Sequence, residues 1–284
     1  MSAPISPRVW ARRWLEGSLA RHALRHRREH RFLSEAGFCA YYGVFESFAE
    51  ARAWLPPSGE FNNEAVAADF NEHRTAQIFA YDYPMLWWLE RALRGGARRV
   101  LDIGGSVGVH YLAYRRYLEM PADLTWLVAE LPKTAALGRK LAAQRQAPAL
   151  HFTDDMAHAL QQPSDVWLSA GAIQYVEDGR PDQLLRRAST RPRHLLLNKL
   201  PLYPGEDYVT TQNIGWGSFS PLYVCNDARF IDDIEALGYT LADRWDVPER
   251  SLYLPGESAR KVPCFSGLYF VDAGEAMDAG SRPR

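Results

Sequence analysis

The chain has 284 residues, 47% of them hydrophobic, and a formal net charge of -1 at pH 7. This is enough for one sizeable core with a smaller appended region, and the balanced charge gives no overall field that would favour nucleic acid. No stretch reaches the roughly 18 apolar residues that span a bilayer, and arginines interrupt the segment where a signal peptide would have its apolar core. The three cysteines are far apart and match no zinc or redox spacing, so we expect a soluble, cytoplasmic protein.

The first part of the chain, 1–96, is predicted to be a helical region. Apolar residues recur at helical spacing over 8–31, and arginines cover the rest of that surface, which predicts a basic amphipathic helix. Such a helix can pack its tryptophan face on the main domain, which we favour, or lie on an acidic partner or membrane surface. Residues 46–54 and 63–95 also have helical patterns, the second broken near Tyr83-Pro84 because proline disfavours a helical conformation in the preceding residue.

From Arg99 onward, short apolar runs alternate with amphipathic stretches, which predicts strands buried on both faces and joined by crossover helices in a parallel sheet. The predicted strands are 99–103, 124–129, 149–152, 165–169 and 194–200, followed by a helix at 227–237 and two strands at 239–245 and 264–271. No crossover helix separates the last two strands, so we expect antiparallel pairing at one edge. We assign a domain to 97–272 and a short disordered tail to 273–284.

A glycine-rich turn follows the first strand of this domain. Asp102 ends the strand, and Gly104-Gly105-Ser106-Val107-Gly108 leads into a helical stretch, so backbone amides can approach a ligand closely. The Gly-Lys-Ser/Thr of a Walker A loop is absent, and Ile103 stands where a dinucleotide fingerprint needs its first glycine. An acidic strand end and a bare turn suit the zwitterionic end of S-adenosylmethionine, with Asp102 meeting the ammonium directly or through water.

The next two strand ends add candidate cofactor contacts. Glu130 ends the second strand, where a carboxylate can accept both ribose hydroxyls, although Pro132 also allows a solvated acid at a helix start. After the third strand, side chains could frame the adenine, whereas Asp154 and Asp155 could equally cap the next helix. The candidates beside Glu130 and after the third strand are Leu131, Thr153, Asp154, Asp155 and Met156.

Several further segments over about residues 40–271 form a specific combination. They are Tyr42-Gly43-Val44-Phe45, Tyr83-Pro84, Leu101 to Gly108 with His110-Tyr111, Ser169 to Tyr175, Leu197-Asn198-Lys199-Leu200-Pro201, Thr211-Gln212-Asn213-Ile214, and Pro263 with Ser266 to Phe270. With these segments the chain resembles a family of methyltransferase-like proteins, several of them encoded near bacterial polysaccharide or secondary-metabolite genes.

The resemblance implies an α/β, Rossmann-like class I methyltransferase fold. Its mostly parallel seven-stranded sheet would carry an antiparallel edge strand, and S-adenosylmethionine would be the cofactor. It also implies that the fourth strand's end faces the sulfonium, with Ser169, Ala170 and Gly171 against the cofactor and Gln174 and Tyr175 near the chemistry.

Methyl transfer mainly needs the acceptor held in line with the S–CH3 bond, so a general base is optional. The polar candidates for this role are Tyr175, Gln174 and Asn198, with Gln212 and Asn213 as further options, and each could instead be a satisfied buried hydrogen-bonding group. His110 is expected to have a packing role. We expect no metal site, because no cluster of ligand residues exists.

Three functions remain open. The first is methyl transfer to a small molecule such as a sugar or a natural-product intermediate. The second, known among proteins similar to this family, is cyclisation of the cofactor to azetidine-2-carboxylate with release of methylthioadenosine. Aromatic residues from Tyr81 to Trp88 could form a lid for that reaction, although ordinary packing explains them better. The third is a non-catalytic S-adenosylmethionine-binding module. The sequence leaves a homodimer open.

Overall fold

The computed structural model describes residues 18–63, 65 and 74–274. The helices are α1 (Ser18–Phe32), α2 (Phe48–Trp54), α3 (Tyr83–Arg94), α4 (Val109–Tyr114), α5 (Pro132–Gln144), α6 (Met156–Gln161), α7 (Pro181–Arg187) and α8 (Asp227–Glu235). The strands are β1 (Tyr41–Phe45), β2 (Arg99–Ile103), β3 (Thr125–Ala129), β4 (Leu150–Thr153), β5 (Val166–Ala170), β6 (His194–Leu200), β7 (Leu202–Tyr203), β8 (Tyr208–Gly215), β9 (Ser218–Asn226), β10 (Tyr239–Val247) and β11 (Phe265–Asp272). None of the described helices is long and apolar enough to cross a bilayer.

The main sheet has seven strands in the order β10-β11-β6-β5-β2-β3-β4. The pairs from β4 to β6 are parallel, whereas β11 pairs antiparallel with both β6 and β10. The prediction of a mostly parallel seven-stranded sheet with antiparallel pairing at one edge is therefore confirmed. The reversed strand lies one place in from the edge, because β11 inserts between β6 and β10.

Helices cover both faces of this sheet because its central strands are apolar on both sides. Val100 packs with α3, α4 and α5 on one face, and its neighbour Leu101 packs with α6, α7 and α8 on the other. All residues of β5 are buried. Alternate side chains of a strand point to opposite faces, so a continuous apolar run is what a two-sided core requires.

A second sheet, not predicted from the sequence, has the order β1-β8-β9-β7. β8 and β9 form an antiparallel hairpin, and β1 of the N-terminal region pairs with β8. The N-terminal region predicted to be helical thus also contains a strand, β1, which was not predicted. A signal was present over 208–226, where β-branched and aromatic residues flank Gly215-Trp216-Gly217.

The N-terminal helices partly match their predictions. Residues 46–54 contain α2, whose N-cap Ser47 accepts a hydrogen bond from the backbone N–H of Glu50. In the predicted helix 63–95, Pro84 lies in the first turn of α3 and begins the helix there, because proline is well suited to that position. Residues 1–17 and 275–284, which include most of the predicted tryptophan face and the tail, lie outside the described residues.

Candidate active site

The glycine turn lies where the strand order of the main sheet diverges. β2 pairs with β3 on one side and with β5 on the other, so the loops that follow these strands separate and leave a crevice at their carboxyl ends. A cavity of about 360 Å³, here called the loop cavity, opens at this crevice. The predicted site residues that line this cavity are Gly104, Gly105, Ser106, Glu130, Leu131, Ala170, Gly171 and Tyr175.

The turn itself requires glycine. At Gly104, φ is +68° and an added Cβ would lie 2.2 Å from the Cβ of Ala172. At Gly105, an added Cβ would lie 2.3 Å from Oδ2 of Asp102. Gly104 therefore allows a close approach to Ala172, which itself lines the cavity, and Gly105 lets the turn fold against the strand end at Asp102.

Asp102 lies beneath the turn and not in the cavity wall, since it is fully buried. Its carboxylate is 3.0 Å from Nδ1 of His110 and accepts a hydrogen bond of 3.2 Å from Nε1 of Trp126. His110 is thus a hydrogen-bonding partner of Asp102 and reaches the cavity wall as well. Asp102 therefore supports the turn from below, and its charge would act on a ligand across the glycines.

Glu130 joins the turn to the end of β3. Its two carboxylate oxygens accept backbone N–H groups of Ser106 at 3.0 Å and of Leu131 at 2.8 Å. Burial raises the pKa of Glu130, although these two backbone bonds oppose that rise. Each oxygen keeps a further lone pair, so the carboxylate can still accept hydrogen bonds from a ligand in the cavity.

The predicted residues after the third strand do not reach the loop cavity. Asp155 caps α6 by accepting a hydrogen bond from the backbone N–H of His158, which favours the capping alternative. Thr153 accepts from the backbone N–H of Asp155, and Asp154 lies 3.8 Å from Arg139. Met156 packs on the core face that carries α6. An adenine contact from these side chains is therefore not evident in the cavity wall.

Two further predicted residues are held inside the fold. Gly108 is the N-cap of α4 with a φ of 87°, and an added Cβ would meet Leu150 at 2.6 Å. Ser169 is fully buried and donates a hydrogen bond of 2.9 Å to the carbonyl oxygen of Ile103. Both residues shape the crevice without lining it.

A second cavity of about 270 Å³, here called the hairpin cavity, adjoins the first on the side of β8. The two cavities share six lining residues, which are Phe61, Arg74, Ala170, Gly171, Tyr175 and Lys199. The hydroxyl of Tyr175 donates to Oε1 of Gln212, which also lines the hairpin cavity. Burial raises the pKa of Tyr175 well above its usual value, so the phenol stays protonated.

The other polar candidates differ in their access to this cavity. Gln174 lines it, and its Oε1 is buried without a hydrogen-bond partner among the described residues. Asn198 is fully buried, donates to the carbonyl of Tyr81, and accepts from Trp245 and from the backbone of Lys199. Asn198 therefore lines neither cavity, and its hydrogen bonds connect Tyr81, Trp245 and Lys199.

Asn213 is likewise held within the protein, since its amide donates to the carbonyl of Phe32 at 2.6 Å and its Oδ1 accepts from the backbone of Gly215. It joins the β8–β9 turn to the end of α1.

Lys199, which sequence reasoning missed as a site residue, lies between the two cavities. It is 7% exposed, has a left-handed φ of 58°, and its ammonium lies 5.0 Å from the ring centre of Tyr81. Burial, with the charges of Arg74 and Arg250, lowers the pKa of Lys199 to about 7. A lysine within the apolar run of β6 was the available signal, because an unpaired charge is rarely buried without a function.

The N-terminal region closes the loop cavity. Arg52 of α2 pairs with Glu60 at 2.7 Å and with Glu177 beyond β5, and all three line the cavity. Of the aromatic residues considered as a lid, Tyr83 and Trp87 are exposed, Trp88 stacks on Tyr269, and the buried Tyr81 lies against Lys199; none of the four lines the loop cavity. Within the described ranges, no three metal-ligating side chains come together.

Comparisons with known proteins support the fold. No protein-family model and no curated protein matches the chain. The structure of the [4+2]-cyclase SpnF matches over 82% of this chain and 98% of that one, with a TM-score of 0.50 and 13% identity. A magnesium protoporphyrin IX methyltransferase from Synechocystis with bound S-adenosylmethionine matches over 95% and 99% of the two chains, with a TM-score of 0.42 and 15% identity.

The mitomycin 7-O-methyltransferase MmcR matches over 65% of this chain and about half, 52%, of that one, with a TM-score of 0.42 and 18% identity. A shared fold at such low identity assigns no reaction by itself. The strand order, the single reversed strand and the crevice beside β2 give this chain an α/β, Rossmann-like class I methyltransferase fold.

Proposed function

We propose that this chain is an S-adenosylmethionine-dependent enzyme that holds its cofactor in the loop cavity and transfers a methyl group to a small molecule in the hairpin cavity. One observation carries the proposal. The two cavities adjoin and share a wall at the carboxyl ends of β5 and β6, next to the glycine turn. Transfer of a methyl group needs the methyl donor and the acceptor to be held side by side.

The residues of the loop cavity suit the parts of this cofactor. Glu130 offers carboxylate oxygens to the ribose hydroxyls. The bare backbone of Gly104 and Gly105 admits the amino-acid end, and the buried charge of Asp102 beneath it favours an ammonium group. Solved relatives of the same fold contain S-adenosylmethionine, which supports this choice of cofactor.

When bound, S-adenosylmethionine supplies a methyl group on a positively charged sulfur. The acceptor's nucleophile would form the new bond to that carbon while the C–S bond breaks, its electron pair staying on sulfur and the acceptor's proton passing to solvent. The chain contributes positioning and exclusion of water. Phe61 and Tyr175, whose ring centres lie 4.8 Å apart in an edge-on contact, provide aromatic surface to a cation on the shared wall.

Intramolecular cyclisation of the same cofactor to azetidine-2-carboxylate is the alternative. That reaction uses a closed, mostly apolar cavity and needs no place for an acceptor. The hairpin cavity, which three cationic side chains line, provides a separate place for an acceptor, so we favour methyl transfer.

Product analysis distinguishes these reactions. The purified full-length chain is incubated with S-adenosylmethionine, alone and with a panel of small hydroxylated acceptors, and the products are followed by mass spectrometry. We expect S-adenosylhomocysteine and a methylated product only when an acceptor is present, and their loss in Glu130→Gln. Methylthioadenosine formed with a cyclic amino acid in the absence of acceptor would establish cyclisation instead. Cofactor binding without any product across the panel would support a non-catalytic module.

A further inference from the structure

The hairpin cavity has a one-sided charge. Three cationic side chains line it, those of Arg74, Lys199 and Arg250, whereas its described lining contains no aspartate or glutamate. The loop cavity differs, because Glu60, Glu130 and Glu177 accompany its cations. Like charges gathered around a space whose described lining has no acidic side chain suit an anionic ligand.

The polar groups of the hairpin cavity are also incompletely paired. Nε of Arg74 is buried and has no hydrogen-bond partner among the described residues, although its guanidinium covers the rings of Phe79 and Tyr81. The ammonium of Lys199 lies 5.0 Å from the ring centre of Tyr81, and burial beside two arginines lowers its pKa. Buried donors without partners are costly, and a ligand that accepts their hydrogen bonds removes that cost.

Arg250, on the segment between β10 and β11, completes the cationic set. Arg250 is exposed and lines the cavity, and its charge acts on Tyr41, Tyr175 and Lys199. Burial nevertheless raises the pKa of Tyr41 to about 12, so this phenol remains a neutral donor and adds no negative charge.

Aromatic side chains form much of the remaining wall. Tyr41, Phe61 and Tyr175 lie inside, and Phe38 and Trp216 stand at the mouth with 55% and 52% of their surface exposed. The last two rings meet edge-on at 6.1 Å. Trp216 has a left-handed φ of 50° at the tip of the β8–β9 hairpin, a conformation that is costly for a side chain of this size. Exposed rings presented in this way suit a planar apolar ligand.

We propose that the hairpin cavity binds a small aromatic acid, whose carboxylate or phosphate is held by Arg74, Lys199 and Arg250 and whose ring lies against the aromatic wall. That this acid is the methyl acceptor rests on the proposed function, whereas its binding does not. The proposal narrows the substrate class from small molecules in general to planar anions.

Binding of matched probes tests this inference on the full-length chain. Calorimetry with 4-hydroxybenzoate and phenyl phosphate as acids, and 4-hydroxybenzamide as their neutral counterpart, measures the contribution of the charge. We expect at least one acid to bind tenfold or more tightly than the amide, and the tighter acid identifies the anionic group. Lys199→Met and Arg250→Met should each weaken that acid at least tenfold and the amide less than threefold. Lys140→Met, an exposed lysine on α5, is the control.

A parallel titration with S-adenosylhomocysteine separates this inference from the proposed function. Its affinity should change less than threefold in Arg250→Met, because Arg250 lines the hairpin cavity and not the loop cavity; Lys199→Met is left out of this comparison because Lys199 lines both. Acids that bind no better than the amide, or that keep their affinity in both variants, would overturn the anionic subsite even if the nucleoside binds. Binding of the acid without any binding of S-adenosylhomocysteine would leave the subsite intact and refute the proposed cofactor.

Discussion

Replacing Lys199 with methionine should stabilise the protein, and the gain should depend on pH. The pKa of Lys199 falls from 10.5 to about 7 in the folded chain, so the unfolded chain binds the additional proton between these values. Stability therefore rises with pH over this window and is lowest below pH 7, where the buried ammonium is fully charged. Each pKa unit corresponds to about 1.4 kcal/mol, so the charged form costs about 5 kcal/mol.

Methionine keeps most of the side-chain volume and has no charge. It gives up the contact with the ring of Tyr81, which contributes about 1 kcal/mol. Lys199→Met should therefore be more stable than the wild type by about 4 kcal/mol at pH 6, and this difference should vanish near pH 10.5. Asp82 and Asp102, whose charges raise the pKa, are too weak to offset burial and the two arginines.

Urea unfolding of both chains at pH 6, 7.5 and 9 measures this difference, and taking the difference cancels the titration of groups common to both. Lys140→Met, at an exposed position of α5, should show no pH-dependent difference. A Lys199→Met difference that stays constant across this range would refute the claim that burial lowers the pKa of this ammonium.

Further substitutions test the turn and its supports. Gly104 and Gly217 share a φ of +68°, but only at Gly104 would an added Cβ create a clash. Gly104→Ala and Gly217→Ala should each lose about 1 kcal/mol of stability from backbone strain, and Gly104→Ala should lose about 1–3 kcal/mol more and no longer bind S-adenosylhomocysteine. Equal unfolding midpoints of the two variants would contradict this expectation. Glu130→Gln should weaken S-adenosylhomocysteine about 10- to 100-fold, because a hydrogen bond to a charged acceptor contributes about 1.5–3 kcal/mol; an unchanged calorimetric Kd would count against the ribose contact. Asp102→Ala should lower the unfolding free energy by about 3 kcal/mol, because it leaves two buried partners unpaired, and a wild-type urea midpoint would show that the network beneath the turn is dispensable.

The main sheet could be predicted because its strands have a local signature. Runs such as 99–103 and 165–169 are mainly apolar, and each folds as a strand within a residue or two of its predicted bounds. The β8–β9 hairpin was harder to predict because Thr210, Thr211, Gln212 and Asn213 are polar yet buried. Their burial depends on pairing with β1, a contact between segments about 170 residues apart, which no local pattern reveals.

The site residues likewise differ in whether their positions could be predicted from the sequence. Gly104, Gly105 and Glu130 follow directly from strand ends, so their approach to one cavity could be predicted from the order of strands and turns. Arg250 comes from a loop and Arg74 immediately precedes one, and since tertiary packing sets the paths of these loops, the two arginines could not be placed in advance. Asn198 was selected for its polar side chain, but the structure shows that Tyr81, Trp245 and Lys199 already use its hydrogen-bonding groups.

A crystal structure of the chain with S-adenosylhomocysteine tests the central claim most directly. We expect the nucleoside in the loop cavity, with both ribose hydroxyls within hydrogen-bonding distance of Glu130 and the amino-acid end against Gly104 and Gly105. Its sulfur should face the wall shared with the hairpin cavity, near Tyr175. A nucleoside bound elsewhere, or a sulfur that faces away from the hairpin cavity, would contradict the proposed transfer.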